Sequence, residues 1–327
     1  MAQAWAGRRP LVLNSPLALV ALNALPGEFD RTSAAEAWAE AGIAPADCNH
    51  LWSAFAEAGL FAETAGGEPD WWDRYGWREA RAYHRATRDY PFLDMAVPGA
   101  LGTDAARMVR YREQGDGPPP YLHVEAEEMV ELRRLEEGES PDERLAGLSE
   151  DERHGWEGLS LLLDVCFGER GRLESVAGPC VLNSIPSGGA RHPTEVFVAV
   201  FDHPAAPAGV YHYDVEQHGL ARIYSGQHRA AFAAATFDLF DRTAIPPALA
   251  LLFTSRVARA MWRYRDPRSF RAVLVDLGHA VMALRMVARK LGLRCHALHE
   301  VKDGALAELL RVDPAEQPPL YAATLMP

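Results

Sequence analysis

The chain has 327 residues, 48% of them hydrophobic, enough for two domains or one large α+β domain with appendages. Its formal net charge of −12 argues against DNA or RNA as a partner, because phosphate binding needs a basic face. The four cysteines, Cys48, Cys166, Cys180 and Cys295, form no CxxC pair, which argues against a zinc knuckle or disulfide framework and fits a reducing, cytoplasmic setting. No run approaches the roughly 18 apolar residues of a membrane span, so no membrane partner is expected.

Residues 1–66 read as a unit of their own. Leu11–Leu13 is a short apolar run. Ser15 followed by Pro16 starts a helix through Leu25, stopped by Pro26. Thr32 or Ser33 caps a second helix through Trp38, ended by Gly42. A third runs from Pro45 to Ala58, with Leu51, Phe55 and Ala58 on one face and Gly59 at its end. A strand and three helices suggest a winged-helix-like module. The third helix carries Asp47, His50 and Glu57 and no Lys or Arg. Peptide docking, or bracing of the main domain, therefore fits better than DNA binding.

Residues 67–154 read as connecting helices and an acidic linker. Trp71, Trp72, Tyr75, Trp77, Tyr83, Tyr90 and Phe92 interleave with Arg74, Arg78, Arg81, Arg85 and Arg88. This pattern predicts a helix whose aromatics cover the core while its arginines face water. The run Gly-Asp-Gly-Pro-Pro-Pro at 115–120 is a break, read as a loop or linker. Residues 125–153, dense in Glu, Asp and Arg, read as a solvated helix face or a mobile segment.

Residues 155–327 read as the main domain. Trp156–Phe167 is a packed helix ended by Gly168. Glu195–Asp202 has apolar residues on both faces, as a central strand does. Strands follow at 210–214, 220–223, 248–254 and 320–325, with helices at 228–241, 269–291 and 303–311. The helix at 269–291 carries an apolar stripe of Leu274, Leu277, Val281, Leu284, Ala288 and Leu291. The order is mixed α+β rather than strict βαβ alternation.

Walker, GxGxxG, GxSxG and HExxH motifs are absent from the sequence. His192, His203, His212 and His218 invite a metal, but no carboxylate completes a ligand set, so none is expected. The turn Ile-Pro-Ser-Gly-Gly-Ala-Arg-His-Pro-Thr-Glu at 185–195 is the first chemical candidate. Pro186 fixes one φ, Gly188 and Gly189 let bare backbone approach a ligand, and Ser187 adds a hydroxyl. The same pattern also serves as a tight turn feeding a core strand. The second candidate is Trp262-Arg263-Tyr264, beyond the end of a buried strand. Tyr264 can act as general acid or base beside the Arg263 cation, or the pair is an aromatic packed under a surface arginine.

The segments Pro186–Glu195, Gly209–Asp214 with His218, Trp262-Arg263-Tyr264, Asp276-Leu277-Gly278-His279 and Leu291-Gly292-Leu293, in that order, resemble the SagB-type dehydrogenases of the nitroreductase-like superfamily, the flavin enzymes of ribosomal peptide natural-product maturation. The likeness covers residues 155–327, and Tyr83–Arg88 is similar to an upstream Tyr-His element. The resemblance implies a nitroreductase-like fold: a mixed, mostly antiparallel sheet flanked by helices, with a long central helix. It implies FMN at a homodimer interface and a modified precursor peptide as substrate, with partner biosynthetic enzymes. Pro186, Ser187, Gly188 and Gly189 would touch the flavin held mainly by the other subunit, and the loop after Gly292, through Ala297 and His299, the flavin of its own. The implied reaction is two-electron oxidation of an azoline to an azole.

Two departures stand out. The family's Lys-Tyr catalytic pair reads Arg263-Tyr264 here, and arginine, unlike lysine, effectively never loses its proton. The phosphate-binding Arg-Arg-Ser element has no clean counterpart. Arg133, Arg134 and Arg144 lie in the corresponding region, and Arg133 and Arg134 are the candidates. The alternatives are reduction of dehydroamino acids by reduced flavin, a non-catalytic peptide-docking subunit and, last, a DNA-binding regulator.

Overall fold

The computed structural model describes residues 2–6, 9–13, 15–26, 29–58, 60–61, 71–204, 206–236 and 246–326, the first two segments by backbone alone. It divides into two compact units, residues 1–92 and 93–327. No helix among the described residues is long and apolar enough to cross a membrane.

In the first unit, strands β1 (Ala2–Ala6) and β2 (Arg9–Leu13) form an antiparallel hairpin. The apolar run at 11–13 marked only the second of these strands. Helices α1 (Pro16–Ala24), α2 (Arg31–Glu40) and α3 (Pro45–Glu57) follow. Asp30, not Thr32 or Ser33, caps α2. Its carboxylate accepts from the Thr32 and Ser33 amides at 2.9 and 2.8 Å, and Ser33 Oγ accepts from the Asp30 amide at 2.9 Å. An ionised acceptor satisfies two of the helix's open donors at once. Trp38, Leu51 and Phe55 fill the small core, and the Trp38 indole donates to the Ala21 carbonyl at 2.8 Å. Gly59, read as the end of α3, and residues 62–70 lie outside the described residues.

The aromatic stretch forms α4 (Trp71–Arg74) and α5 (Arg78–Thr87). The sequence pattern predicted that these aromatics are covered, and several are not. Trp71, Tyr75, Trp77 and Phe92 are exposed, Trp71 stacks on Tyr75, and Trp72 stacks on His84.

The second unit opens with α6 (Ala100–Glu113). The acidic stretch is not simply a solvated helix face. It contributes strand β3 (Glu128–Glu131) before the short helices α7 (Pro141–Gly147) and α8 (Glu150–His154). Helix α9 (Trp156–Phe167) leads to a hairpin of β4 (Glu169–Ser175) and β5 (Gly178–Asn183), which the sequence reading left out. Next come β6 (Thr194–Val200), β7 (Gly209–Asp214), β8 (Gly219–Ser225), α10 (Arg229–Ala235) and β9 (Leu249–Ser255). The remaining elements are α11 (Val257–Arg263), α12 (Ser269–Lys290), β10 (Arg294–Leu298), α13 (Asp303–Leu310) and β11 (Pro319–Met326). Of the helix expected over 228–241, residues 237–241 lie outside the described residues.

Among the described residues seven strands form one sheet in the order β10-β11-β9-β6-β7-β8-β3, and every neighbouring pair is antiparallel. The expected architecture, an antiparallel sheet flanked by helices with a long helix among them, is the one observed. The central strands are apolar on both faces because both are covered. Val196, Val198 and Val200 of β6 pack in the core that contains α9 and α12, while Phe197 and Ala199 pack in the core that contains α10 and α13. Each of these valine and phenylalanine side chains, fully removed from water, contributes about 1.5–3 kcal/mol. In α12 the buried face runs through Val273, Leu277, Ala280, Val281, Leu284 and Ala288. Leu274, expected in that stripe, is instead 47% exposed, since a turn of 100° per residue gives Val273 the inward position.

Candidate active site

The turn between β5 and β6 is conformationally costly. Gly189 sits at φ +63°, Ala190 at +51° and His192 at +40°. The left-handed region costs a non-glycine residue roughly 1–2 kcal/mol, so the surroundings must impose it. Two helices do so. From α12, Asp276 Oδ2 accepts from Ser187 Oγ at 2.7 Å and from the Gly188 amide at 3.2 Å. Ser187 Oγ accepts in turn from the His192 amide at 3.0 Å. From the start of α11, the Arg256 amide donates to the Pro193 carbonyl at 2.7 Å and Arg259 Nη1 to the His192 carbonyl at 2.8 Å.

Arg259 is itself fixed from below. Its Nη2 pairs with Glu195 Oε1 at 2.6 Å, and Glu195 Oε2 lies 2.9 Å from His212 Nε2. All three side chains are buried. Burial alone would raise the Glu195 pKa. The Arg259 charge and the His212 hydrogen bond outweigh it and hold the carboxyl below its ordinary value.

Tyr264 closes the turn from above. A Cβ built on Gly189 would lie 2.4 Å from the Tyr264 hydroxyl, so this position must be glycine for the phenol to sit there. Arg263 lies beside it, with its guanidinium carbon 4.8 Å from the Tyr264 ring centre and Nη2 2.6 Å from Asp104 Oδ2 of α6. The structure thus brings together Pro186, Ser187, Gly188, Gly189 and Arg263-Tyr264, segments far apart in sequence. Asp276 was legible as part of the Asp-Leu-Gly-His element but carried no assigned role. Arg259 and Asp104 had no local signal, for their partners are 67 and 159 residues away.

Two cavities border the turn. One of about 40 Å³ lies beneath it, between Ser187, Asn183, Thr194 and Asp276, and buries an Asn183 Oδ1 that has no hydrogen-bond partner. One of about 220 Å³ is walled by Ala190, Arg191, Trp262, Arg112 and residues 116–120. The run at 115–120 is therefore not a linker. It packs on α11, with Trp262 Nε1 donating to the Gly115 carbonyl at 3.3 Å and Arg259 Nε to the Pro119 carbonyl at 3.0 Å.

The other expected site residues lie elsewhere. Ala297 is in strand β10, paired with Ala323 of β11, rather than in a loop. His299 follows it, exposed, with its ring 6.2 Å from that of Tyr321. Arg134 donates to the Val215 and Glu216 carbonyls at 3.0 and 2.6 Å. Arg133 is half exposed and pairs with Glu136 and Glu139. Arg144 is buried, donating to the Arg133 and Arg134 carbonyls and pairing with Glu157 at 2.8 Å. Among the described residues no group of three or more His, Cys, Asp or Glu could hold a metal.

Residues 174–324 match the Nitroreductase family. The trifolitoxin-processing protein TfxB of Rhizobium leguminosarum bv. trifolii is 35% identical over 159 residues, 48% of this chain and 43% of that protein. The trifolitoxin-processing protein TfxF of the same organism is 32% identical over 130 residues, 40% of this chain and 42% of that protein. The chain thus spans less than half the length of these two curated relatives. A crystal structure of a candidate nitroreductase from Anabaena variabilis superposes with a TM-score of 0.57 at 23% identity, covering 75% of this chain and 45% of that one. Residues 174–324 are thus similar to the Nitroreductase family, and the fold is nitroreductase-like.

Proposed function

We propose that this chain is an FMN-dependent oxidoreductase of the SagB type, acting on a modified peptide during natural-product maturation. The observation that carries the reading is the Tyr264 hydroxyl packed against Gly189 in the strained Pro-Ser-Gly-Gly turn. It joins a proton-transfer group to a backbone surface suited to a flat ligand. FMN, when bound, supplies a two-electron acceptor or donor. Pro186–Gly189, with Ala297 and His299, are the residues we assign to it. Arg133, held only by surface ion pairs, is freer to meet its phosphate than Arg134, which is tied to two carbonyls.

A homodimer completes the proposal. The cavities beside the turn, about 40 and 220 Å³, are smaller than the roughly 300–1,000 Å³ of a typical cofactor site, which supports a site completed by a second copy. That the two relatives are named trifolitoxin-processing proteins supports a role in processing a natural product.

In the oxidative direction the substrate loses two hydrogens, one as a proton that Tyr264 accepts or relays, and a C=C or C=N bond forms. Arg263 cannot be the base, because it keeps its proton and is paired with Asp104. That pairing equally suits the reductive direction, in which Tyr264 donates the proton. Co-expression with the precursor peptide decides between them: loss of two hydrogens in its mass means oxidation, and gain of two means reduction. Tyr264→Phe should retain FMN and lower kcat by about 10²-fold or more. Unchanged turnover rules out the role of Tyr264, and a purified protein that stays colourless with added FMN overturns the enzyme reading.

A further inference from the structure

Tyr264 is held by a segment outside the family match. It stands at the end of α11 with φ −120° and ψ 89°, outside helical geometry, so the helix does not fix where its ring points. Four residues around it are instead fastened to α6 and the loop after it. Arg259 donates to Pro119 at 3.0 Å and Trp262 to Gly115 at 3.3 Å. The Arg265 guanidinium lies 3.7 Å from the Tyr111 ring centre and donates to the Gln114 side chain. The fourth fastening, Arg263 to Asp104 at 2.6 Å, is the one whose guanidinium also lies against the Tyr264 ring.

The Arg263 side chain is 16% exposed and that of Asp104 26%. A guanidinium withdrawn from water to that degree is stabilised by a carboxylate, and its plane follows the carboxylate. We infer that Asp104 is a positioning residue: it orients Arg263, and Arg263 holds the Tyr264 ring with its hydroxyl over Gly189. The inference rests on the reading of Tyr264 as the proton-transfer group and explains how an Arg-Tyr pair works where the resemblance led us to expect Lys-Tyr. Arg263 acts as a fixed brace, not as a base.

The test is ¹⁹F NMR of the full-length chain labelled with 3-fluorotyrosine at its 10 tyrosines. Tyr264→Phe identifies the Tyr264 resonance. Asp104→Asn should move or broaden that resonance, and Asp104→Glu, which keeps the carboxylate, should restore it. Arg263→Met, which breaks the pair from the other side, should move it as Asp104→Asn does. Glu113→Gln, an exposed carboxylate on the same helix, should leave it in place. With the co-expressed peptide as substrate, Asp104→Asn should lower kcat roughly tenfold to a hundredfold with KM and bound FMN unchanged. An unmoved Tyr264 resonance in Asp104→Asn or Arg263→Met overturns the inference, as does an equal displacement by Glu113→Gln. If Tyr264→Phe keeps full turnover, the catalytic reading fails while the resonance still reports on the brace.

Discussion

Glu195, His192 and His218 each add to the acid sensitivity of the fold. Burial pushes the His192 imidazole down to about 4 and does the same to His218, whose Nδ1 lies 2.7 Å from the Tyr213 hydroxyl. Both are neutral when folded and take up a proton more readily when unfolded. Their contribution to stability is therefore complete above the ordinary value of 6.5 and is lost as pH falls from there towards about 4. Glu195, held below its ordinary value, adds a loss of the same sign at lower pH. Urea midpoints should be level above pH ~6.5 and drop steadily below it. His192→Asn, a residue that tolerates left-handed backbone, should flatten part of that drop. A midpoint that does not change from neutral pH down to about 4 contradicts this assignment. At this scale the proposed site was readable in the sequence where one short segment supplies its residues, as in Ser187–Gly189 and Tyr264. It was unreadable where the chemistry is a pairing across 159 residues, as for Asp104 and Arg263.

Helix α12 shows both what a pattern reveals and what it omits. Spacing of three and four residues identified its buried face from the sequence, and β6, β7, β9 and β11 were legible from their apolar runs. Strands β3, β4 and β10 were not, because they mix Glu, Arg or His with apolar residues and blend into charged surroundings. The other side of α12 leaves Val275, Met282 and Met286 exposed around Gly278, a long apolar strip on the outside of the unit. In the proposed homodimer this strip is covered by the second copy. Met282→Glu should then convert a sedimenting dimer to a monomer without lowering the melting temperature of the monomer fold. A wild-type chain that sediments as a monomer removes the homodimer from the proposal.

The whole molecule carries its cores separately. Trp38, Leu51 and Phe55 belong to a core formed within residues 1–92, whereas the two cores flanking the seven-stranded sheet are formed within residues 93–327. A unit with its own core and sheet can fold alone. Residues 93–327, produced separately, should show a single cooperative thermal transition. A broad, non-cooperative melt would mean that the first unit contributes to the stability of the second. The likeness over residues 155–327, with the motif residues of the turn, α11 and α12, lies wholly in the second unit, whereas the Tyr83–Arg88 element lies in the first.

The two ends of that sheet have a bearing on solubility. Among the described residues β3 and β10 each pair on one side only, leaving a row of backbone donors and acceptors open to another chain. Both are short, four and five residues, and they carry exposed Glu128 and Glu131 at one end and Arg294 and His296 at the other. Short, charged margins oppose strand-by-strand polymerisation. A concentrated preparation therefore has little to gain from pairing one sheet margin with another.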